Sequence, residues 1–179
     1  MKRIVQEGAA ILRKRAKPVS EKLFGTRELA HLVADMTEVL DAESDGVALA
    51  APQIGASLRL FIVSKAALAL PAALKERGKA KERRALKKNA GYSVFINPRL
   101  TKLSREKILL EEGCLSVRPL YGMIKRSRKA TITAYDETGK KFTRGASGLL
   151  AQVFQHETDH LDGTLFIDKA TEVHEMKNE

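Results

Sequence analysis

The stretch SGLLAQVFQHETDHLDG, residues 147–163, carries the clearest structural signal in this chain of 179 residues. Its apolar residues recur at the three- and four-residue spacing of an amphipathic helix. Ser147 is the predicted N-cap, and Gly163 is available for a left-handed stop at the other end. The apolar stripe predicts a helix that is at least partly buried.

An HExxH motif lies inside this helix, formed by His156, Glu157 and His160. Four residues are just over one helical turn, so both imidazoles face the same side and can bind one metal ion. Glu157 follows the first histidine and can reach a water beside that ion. An exposed polar helix face is the plainer interpretation, but the apolar neighbours argue against it because buried histidines need partners.

A catalytic metal needs a third protein ligand and one open position. The longer three-histidine motif fails, because the residue six positions past His160 is Phe166. Glu172 and Glu175 follow later, but they lie in a polar tail. Cys114 is the only thiol, and a glycine before it is consistent with close backbone approach. The residues alone leave Cys114 open between a metal ligand and a small buried hydrophobe.

The flanking sequence predicts the rest of the fold. Apolar residues at helical spacing between positions 29 and 40 predict an N-terminal helix of roughly four turns. Residues 58–64 and 92–96 are typical of strands, and residues 130–144 predict a hairpin around a glycine-containing turn. We therefore expect an α+β fold, with antiparallel β-sheets packed around the C-terminal HExxH helix and an N-terminal helix.

Length and composition set the remaining expectations. The length suits one domain, residues 1–179, and one cysteine permits no internal disulfide. No secretory or membrane-spanning pattern is found, so we expect a cytoplasmic protein. The net charge of +10 is concentrated in a predicted insertion at about residues 66–90. There, eight basic and two acidic residues between Lys75 and Lys88 predict a solvated loop or, alternatively, a dock for ribosomal RNA.

Three segments together resemble the peptide deformylase family. Its members carry a G-φ-G-φ-A-A-x-Q segment, an E-G-C-x-S segment and a Q-H-E-x-D-H-φ segment, in that order. This chain has GVALAAPQ at residues 46–53, EGCLS at residues 112–116 and QHETDHL at residues 155–161. The resemblance extends from about residue 2 to about residue 169, apart from the basic insertion, and three ordered motifs make it highly specific.

The resemblance implies an activity: removal of the N-formyl group from the first methionine of nascent polypeptides by metal-activated water, with release of formate. It implies a metal bound by Cys114, His156 and His160, and Glu157 as general base and acid. Gln53 and the backbone N–H of Leu115 would stabilise the oxyanion. The substrate would be bound by a set of apolar and glycine residues, namely Gly46, Val47, Gly113, Leu149 and Val153.

The resemblance also implies one divalent ion, Fe²⁺ in the native protein, although imidazole and thiolate ligands also suit Zn²⁺, Ni²⁺ or Co²⁺. The expected partners are N-formylmethionyl nascent peptides and, through the basic insertion, the ribosome in a transient contact. No membrane partner is expected. The chain departs from the family pattern at Ala48, where the second glycine usually stands, and at Arg118 and Pro119, where members usually place proline directly after the cysteine motif.

Two other functions use the same residues differently. A zinc peptidase would share the HExxH motif, but this chain has no suitable third ligand downstream of that motif. A basic RNA-binding module on a degenerate hydrolase fold would bind RNA and no metal. The intact set of Cys114, His156, Glu157 and His160 favours the hydrolase.

Overall fold

The computed structural model describes residues 2–65 and 90–175, so nearly all of the predicted basic insertion lies outside the described residues. The described part confirms the α+β prediction, with an N-terminal helix, antiparallel sheets and the HExxH helix. The helices are α1 (Arg27–Ala42) and α2 (Gly148–Leu161). The strands are β1 (Ala48–Ala50), β2 (Leu60–Ser64), β3 (Tyr92–Leu103), β4 (Lys107–Gly113), β5 (Leu120–Ser127), β6 (Lys129–Tyr135), β7 (Lys141–Ser147) and β8 (Thr171–Glu175).

The strands form two sheets in which neighbouring strands are antiparallel. One sheet has five strands in the order β1-β2-β3-β6-β7, and the other has three in the order β4-β5-β8. The predicted hairpin is the β6–β7 pair, whose turn contains Gly139 in the left-handed conformation, with φ of 84°. Short 3-10 helices connect several elements, including one at Ala51–Ile54 directly after β1.

Helix α2 packs on one face of the five-stranded sheet. Phe154 and Leu161 are fully buried there, and the rings of Phe154 and Phe95 meet edge to face with centroids 5.2 Å apart. Each such burial stabilises the fold by roughly 1.5–3 kcal/mol. Ser147 occupies the N-cap as predicted, although its side chain accepts no capping bond. Gly163 adopts the predicted left-handed conformation, with φ of 77°.

Helix α1 covers the opposite face over β1 and β2. Met36 and Leu40 are fully buried against alternate residues of the strands, such as Leu49 and Ile62. The hydroxyl of Thr26 accepts a bond from the N–H of Leu29 and caps the helix. The helices thus sandwich one half of the sheet. Among the described residues, no helix combines the length and apolarity needed to cross a membrane.

Candidate metal centre

Three metal-ligand side chains meet between α2 and the end of β4. Cys114 follows β4 directly, and His156 and His160 lie one turn apart on α2. One ligand atom from each side chain lies within 4.8 Å of the other two. The Sγ atom of Cys114 is 3.2 Å from Nε2 of His160, and both residues are buried. The two segments that supply these donors are 42 or more residues apart in sequence, so only the tertiary fold brings them together.

A buried ionic network supports the first histidine. Nδ1 of His156 lies 2.9 Å from Oε2 of Glu112, which leaves Nε2 as the nitrogen that can bind an ion. Arg126 donates two bonds to Glu112, at 2.8 and 2.9 Å, and a third to Asp159 at 2.6 Å. Lys169 donates to the other oxygen of Asp159. Glu112 and Arg126 therefore form a buried ion pair, and Asp159 extends it.

The electrostatics of the cluster suit a cation. Burial would raise the pKa of Glu112, but hydrogen bonds from Arg126 and His156 lower it to about 2, so this carboxylate is charged. Burial lowers the pKa of His160 well below its usual range, which keeps the neutral imidazole form that binds metals. Burial also opposes protonation of His156, yet the bonds to Cys114 and Glu112 raise its pKa. The same anionic surroundings that favour a proton on His156 favour a bound metal ion.

Two buried polar atoms have no hydrogen-bond partner among the described residues: Oε2 of Glu157 and Nδ1 of His160. Unpaired buried polar atoms are costly and are concentrated at functional sites. Burial raises the pKa of Glu157 to about 7, while the charge of His156 acts in the opposite direction and that of Glu112 adds to the rise. An unpaired carboxylate beside the three donors has the position expected of a group that exchanges protons.

A cleft of about 300 Å³ opens beside the cluster. The strand β1 and the loop before it form one side, and the end of β4 with the following loop forms the other. Its lining contains nearly all the predicted site residues, namely Gly46, Val47, Gln53, Gly113, Cys114, Leu115, Leu149, Val153, His156 and Glu157. His160 does not line the cleft and is buried, with its Nε2 beside Sγ of Cys114. The arrangement places apolar walls, main-chain groups and the cluster within one small space.

The amide of Gln53 is held in one orientation at the floor of the cleft. Its Oε1 accepts a bond from the N–H of Ala50 at 2.8 Å. Its Nε2 therefore points the other way, towards Oγ of Ser116 at 3.1 Å and Sγ of Cys114 at 3.5 Å. Gln53 is only 2% exposed, so it is not the solvent-facing loop glutamine that its surroundings in sequence would suggest.

The two departures from the family pattern both lie at the cleft. Ala48 is part of β1, pairs with Val63 and does not have a positive φ, so its methyl group causes no backbone strain. Arg118 donates to Glu43 at 2.7 Å and to Asp45 at 2.6 Å. This arginine ties the loop after Cys114 to the loop after α1, and thus joins the two sides of the cleft.

Several site residues were not found from the sequence. Ser116, Asp159, Arg118 and Tyr121 contact predicted site residues or line the cleft. Asp159 lies inside the HExxH motif, which was the only signal available for it. The others lie in segments whose neighbours become apparent only when the chain is folded.

The buried network predicts a stability difference between two neighbouring arginines. Arg126→Leu is expected to lower the free energy of unfolding by about 3–5 kcal/mol, because it leaves the buried carboxylate of Glu112 without its cationic partner and also removes one of the two partners of Asp159. Arg128→Leu is the matched control. Arg128 pairs with Glu106 on the surface, where both side chains are more than half exposed, and such pairs contribute about 0–1 kcal/mol. Urea denaturation of both variants measures the difference, and equal losses would contradict the account of the network.

The fold and the cluster together define a class of protein, the metal-dependent hydrolases that carry an HExxH helix. The family model described as polypeptide deformylase matches residues 1–176. The chain belongs to the peptide deformylase family.

Relatives and solved structures agree with this assignment. The chain is 37% identical to peptide deformylase 1A of Arabidopsis thaliana over 93% of its own length, and 37% identical to a peptide deformylase of Chloroflexus aurantiacus over 96%. It spans 60% of the Arabidopsis protein and 86% of the Chloroflexus protein. A crystal structure of the Acinetobacter baumannii peptide deformylase with Met-Ala-Ser bound superimposes with a TM-score of 0.76 and 29% identity, over 93% of this chain and 96% of that one.

Proposed function

We propose that this chain removes the N-formyl group from formylmethionyl peptides and releases formate. The observation that carries the proposal is the position of Glu157, whose unpaired carboxylate lies with Cys114, His156 and His160 at the end of a peptide-sized cleft. The related Acinetobacter enzyme was crystallised with the tripeptide Met-Ala-Ser, which has the form of a deformylated product. We take residues 1–179 as one catalytic domain that works in the cytoplasm, where a lone thiol stays reduced.

In the proposed site, Cys114, His156 and His160 hold one divalent ion. When bound, that ion supplies Lewis-acid polarisation of the formyl carbonyl and lowers the pKa of water to about 7. The chain's own contribution to water activation is Glu157, which accepts a proton from the attacking water. Hydrogen bonding of His156 to Glu112 fixes the orientation of its ring, so that the donor set is formed before substrate arrives.

The attacking water oxygen forms a bond to the formyl carbon, and the carbonyl oxygen becomes an oxyanion. Nε2 of Gln53 and the N–H of Leu115 donate hydrogen bonds to that oxygen. Glu157 then returns its proton to the methionine nitrogen while the carbon–nitrogen bond breaks. The products are formate and a free amino terminus, so the carboxylate ends the cycle as it began.

The apolar wall of the cleft selects the methionine side chain. Val153 is 6% exposed and Leu149 is 39% exposed on the first turns of α2, opposite Val47. Burial of an unbranched side chain against them stabilises binding at about 25 cal/mol for each Å² removed from water. Main-chain groups of Gly46, Val47 and Gly113 bind the extended peptide at the edges of the two sheets.

The activity is tested by comparing formyl-Met-Ala-Ser with unformylated Met-Ala-Ser. We expect stoichiometric formate and a new free amine from the first peptide, and no product from the second. Cleavage of a peptide bond in either tripeptide would instead assign the protein to the zinc peptidases. Absence of formate release from metal-loaded protein would overturn the proposed function.

Removal of the Gln53 donor is expected to slow the reaction without loss of metal. Gln53→Leu should lower kcat by about 10²–10³-fold, the usual effect of removing one oxyanion donor. Gln152→Leu is the matched control, since Gln152 lines the same cleft but donates to the carbonyl of Glu111. Kinetics on formyl-Met-Ala-Ser measure both variants. A normal kcat for Gln53→Leu, or equal losses for the two, would remove Gln53 from the oxyanion site.

We further propose Fe²⁺ as the native ion. Two imidazoles with one thiolate form a softer ligand set than two imidazoles with a carboxylate, although the same set also accepts Zn²⁺, Ni²⁺ and Co²⁺. Anaerobic iron-loaded protein is expected to turn over formyl-Met-Ala-Ser faster than aerobic zinc-loaded protein, and to lose activity in air through oxidation at the iron or at Cys114. Equal rates for the two preparations would count against iron. The proposed ribosome contact through residues 66–90 concerns a segment of which residues 66–89 lie outside the described residues.

A further inference from the structure

One half of the five-stranded sheet has a basic outer face. Helix α1 covers β1 and β2, and the ring of Phe24 packs on Tyr135, at 5.7 Å between centroids, at the boundary of the covered region. From Tyr135 onwards, this side of the sheet consists of the outward residues of β3, β6 and β7. We call it the basic sheet face and define it by four cations and the small residues between them: Arg99, Lys102, Lys129 and Lys141, with Thr131, Thr133, Thr143 and Gly145.

The strand register places these residues on one side of the sheet. Arg99 is opposite Thr133, which is opposite Thr143. A register shift in β3 between Leu100 and Lys102 brings Lys102 opposite Thr131, so that both β3 cations share this side. The alternate residues of β6, which include Ile132, are buried under α2 on the other side. The face therefore lies across the sheet from the cleft.

The four cations have no acidic counterpart in the described structure. Each is exposed, and within residues 2–65 and 90–175 none of them forms an ion pair. Two nearby acids are already engaged, since Glu106 pairs with Arg128 and Asp136 accepts bonds from its own turn, including the N–H of Lys140, while Glu137 is exposed in that turn and forms no ion pair with the four cations. At 3.3 Å per residue, the face extends about 20 Å along β6 and about 10 Å across three strands.

We infer that the basic sheet face binds the phosphate backbone of double-helical RNA. A duplex presents densely spaced negative charge to such a surface, and neutralisation of each phosphate releases counterions. The face is lined mainly by threonines and a glycine, and Tyr135, the aromatic side chain at its edge opposite Lys141, packs against Phe24, which disfavours stacking of unpaired bases. It also has no large apolar side chain to insert into a lipid surface. Threonine hydroxyls can hydrogen-bond to phosphate and sugar oxygens.

RNA bound on this face would leave the cleft open. Helix α2, with the donor cluster, packs on the opposite side of the sheet. A protein that acts on nascent chains meets its substrates close to structured RNA, so such docking would raise the local substrate concentration without competition at the site. The inference concerns RNA binding, and only the gain in local substrate concentration rests on the proposed function.

The test uses a fluorescent RNA duplex of about 16 base pairs, the length that double-stranded RNA modules span. Anisotropy titrations at several salt concentrations compare the wild-type chain with Arg99→Glu/Lys102→Glu/Lys129→Glu. The matched control is Lys14→Glu/Arg27→Glu/Lys125→Glu, which reverses three exposed cations elsewhere and gives the same net charge. Thermal unfolding midpoints of both variants check that the fold is retained, independently of activity.

We expect Arg99→Glu/Lys102→Glu/Lys129→Glu to weaken RNA binding by more than about 30-fold near 0.1 M salt. The slope of log K against log salt should become shallower by the amount that corresponds to the loss of about three phosphate contacts. The control should weaken RNA binding by less than about threefold. Equal weakening by both variants would overturn the inference, because it would indicate net charge alone. The inference would also be overturned if only Lys79→Glu/Lys81→Glu/Arg83→Glu lost RNA binding. Binding of the wild-type chain to anionic phosphatidylserine vesicles, but not to RNA, would overturn it as well.

Discussion

Glu157→Gln is expected to lower kcat on formyl-Met-Ala-Ser by about 10²–10⁴-fold, while the metal content of the protein stays unchanged. The amide has nearly the same shape as the carboxylate, but it cannot accept the proton of the attacking water or return it to the methionine nitrogen. Glu157 is buried and does not belong to the cluster of three donors, so its replacement removes proton transfer and leaves the ligands in place. Steady-state kinetics and metal analysis on the same preparation measure the two quantities.

Glu111→Gln is the matched control for this prediction. Glu111 lines the same cleft, but its side chain is about half exposed and lies 3.6 Å from Nε2 of His174 on β8. Its replacement should change kcat by less than about threefold, because exposed pairs contribute little. A Glu157→Gln enzyme with normal turnover would exclude Glu157 as the proton carrier. A variant that lost its metal would show instead that Glu157 is required to hold the ion.

The largest expected loss of metal follows from Cys114→Ala. Removal of the thiolate leaves two imidazoles, and even the loss of a residue that only supports a ligand costs 10–100-fold in affinity. We therefore expect metal affinity to fall by more than about 100-fold and turnover to fall to the background rate. His160→Ala should have the same effect, since its Nε2 lies beside Sγ of Cys114. Metal analysis after dialysis against a weak chelator measures both variants.

His174→Ala is the control for the histidine replacement. His174 is half exposed on β8, near the ring of Tyr121, and is not part of the donor cluster. This variant should keep one ion per chain and near-normal activity. If Cys114→Ala retained its ion and its rate, the buried cysteine would be only a small core residue, and the third ligand would have to be sought elsewhere.

Both helices could be predicted from the sequence because their burial is periodic. The apolar stripes of α1 and α2 repeat at 3.6-residue spacing, and the structure places those faces on opposite sides of one sheet. Strands β5 and β8 could not be predicted in this way. β8 is exposed at every position, so its sequence lacks the alternation of apolar and polar residues that indicates a strand with one buried face. In β5, the buried Arg126 interrupts the apolar pattern, and its burial makes sense only with Glu112 and Asp159 beside it.

The part of the site that could be predicted from the sequence is the part whose residues lie close together in the sequence. The HExxH motif fixes two donors and a carboxylate on one helical turn, whatever the rest of the chain does. Cys114 is different, because nothing within its own segment distinguishes a ligand from a buried small residue. Its role was predicted only through the family resemblance, and its position beside His160 depends on how β4 ends against α2. Ser116 and Arg118 act through partners more than 60 residues away, so neither contact could be predicted from its own segment, although Ser116 belongs to the EGCLS motif.

In the proposed site, one sulfur and two imidazoles of this chain bind a single ion and leave a position open. X-ray absorption spectroscopy of zinc-loaded protein can measure this ligand shell. We expect one sulfur at about 2.3 Å, two imidazole nitrogens at about 2.0–2.1 Å and one further light atom from solvent. A shell of nitrogen and oxygen alone, or two or more sulfurs from a site shared between chains, would contradict it.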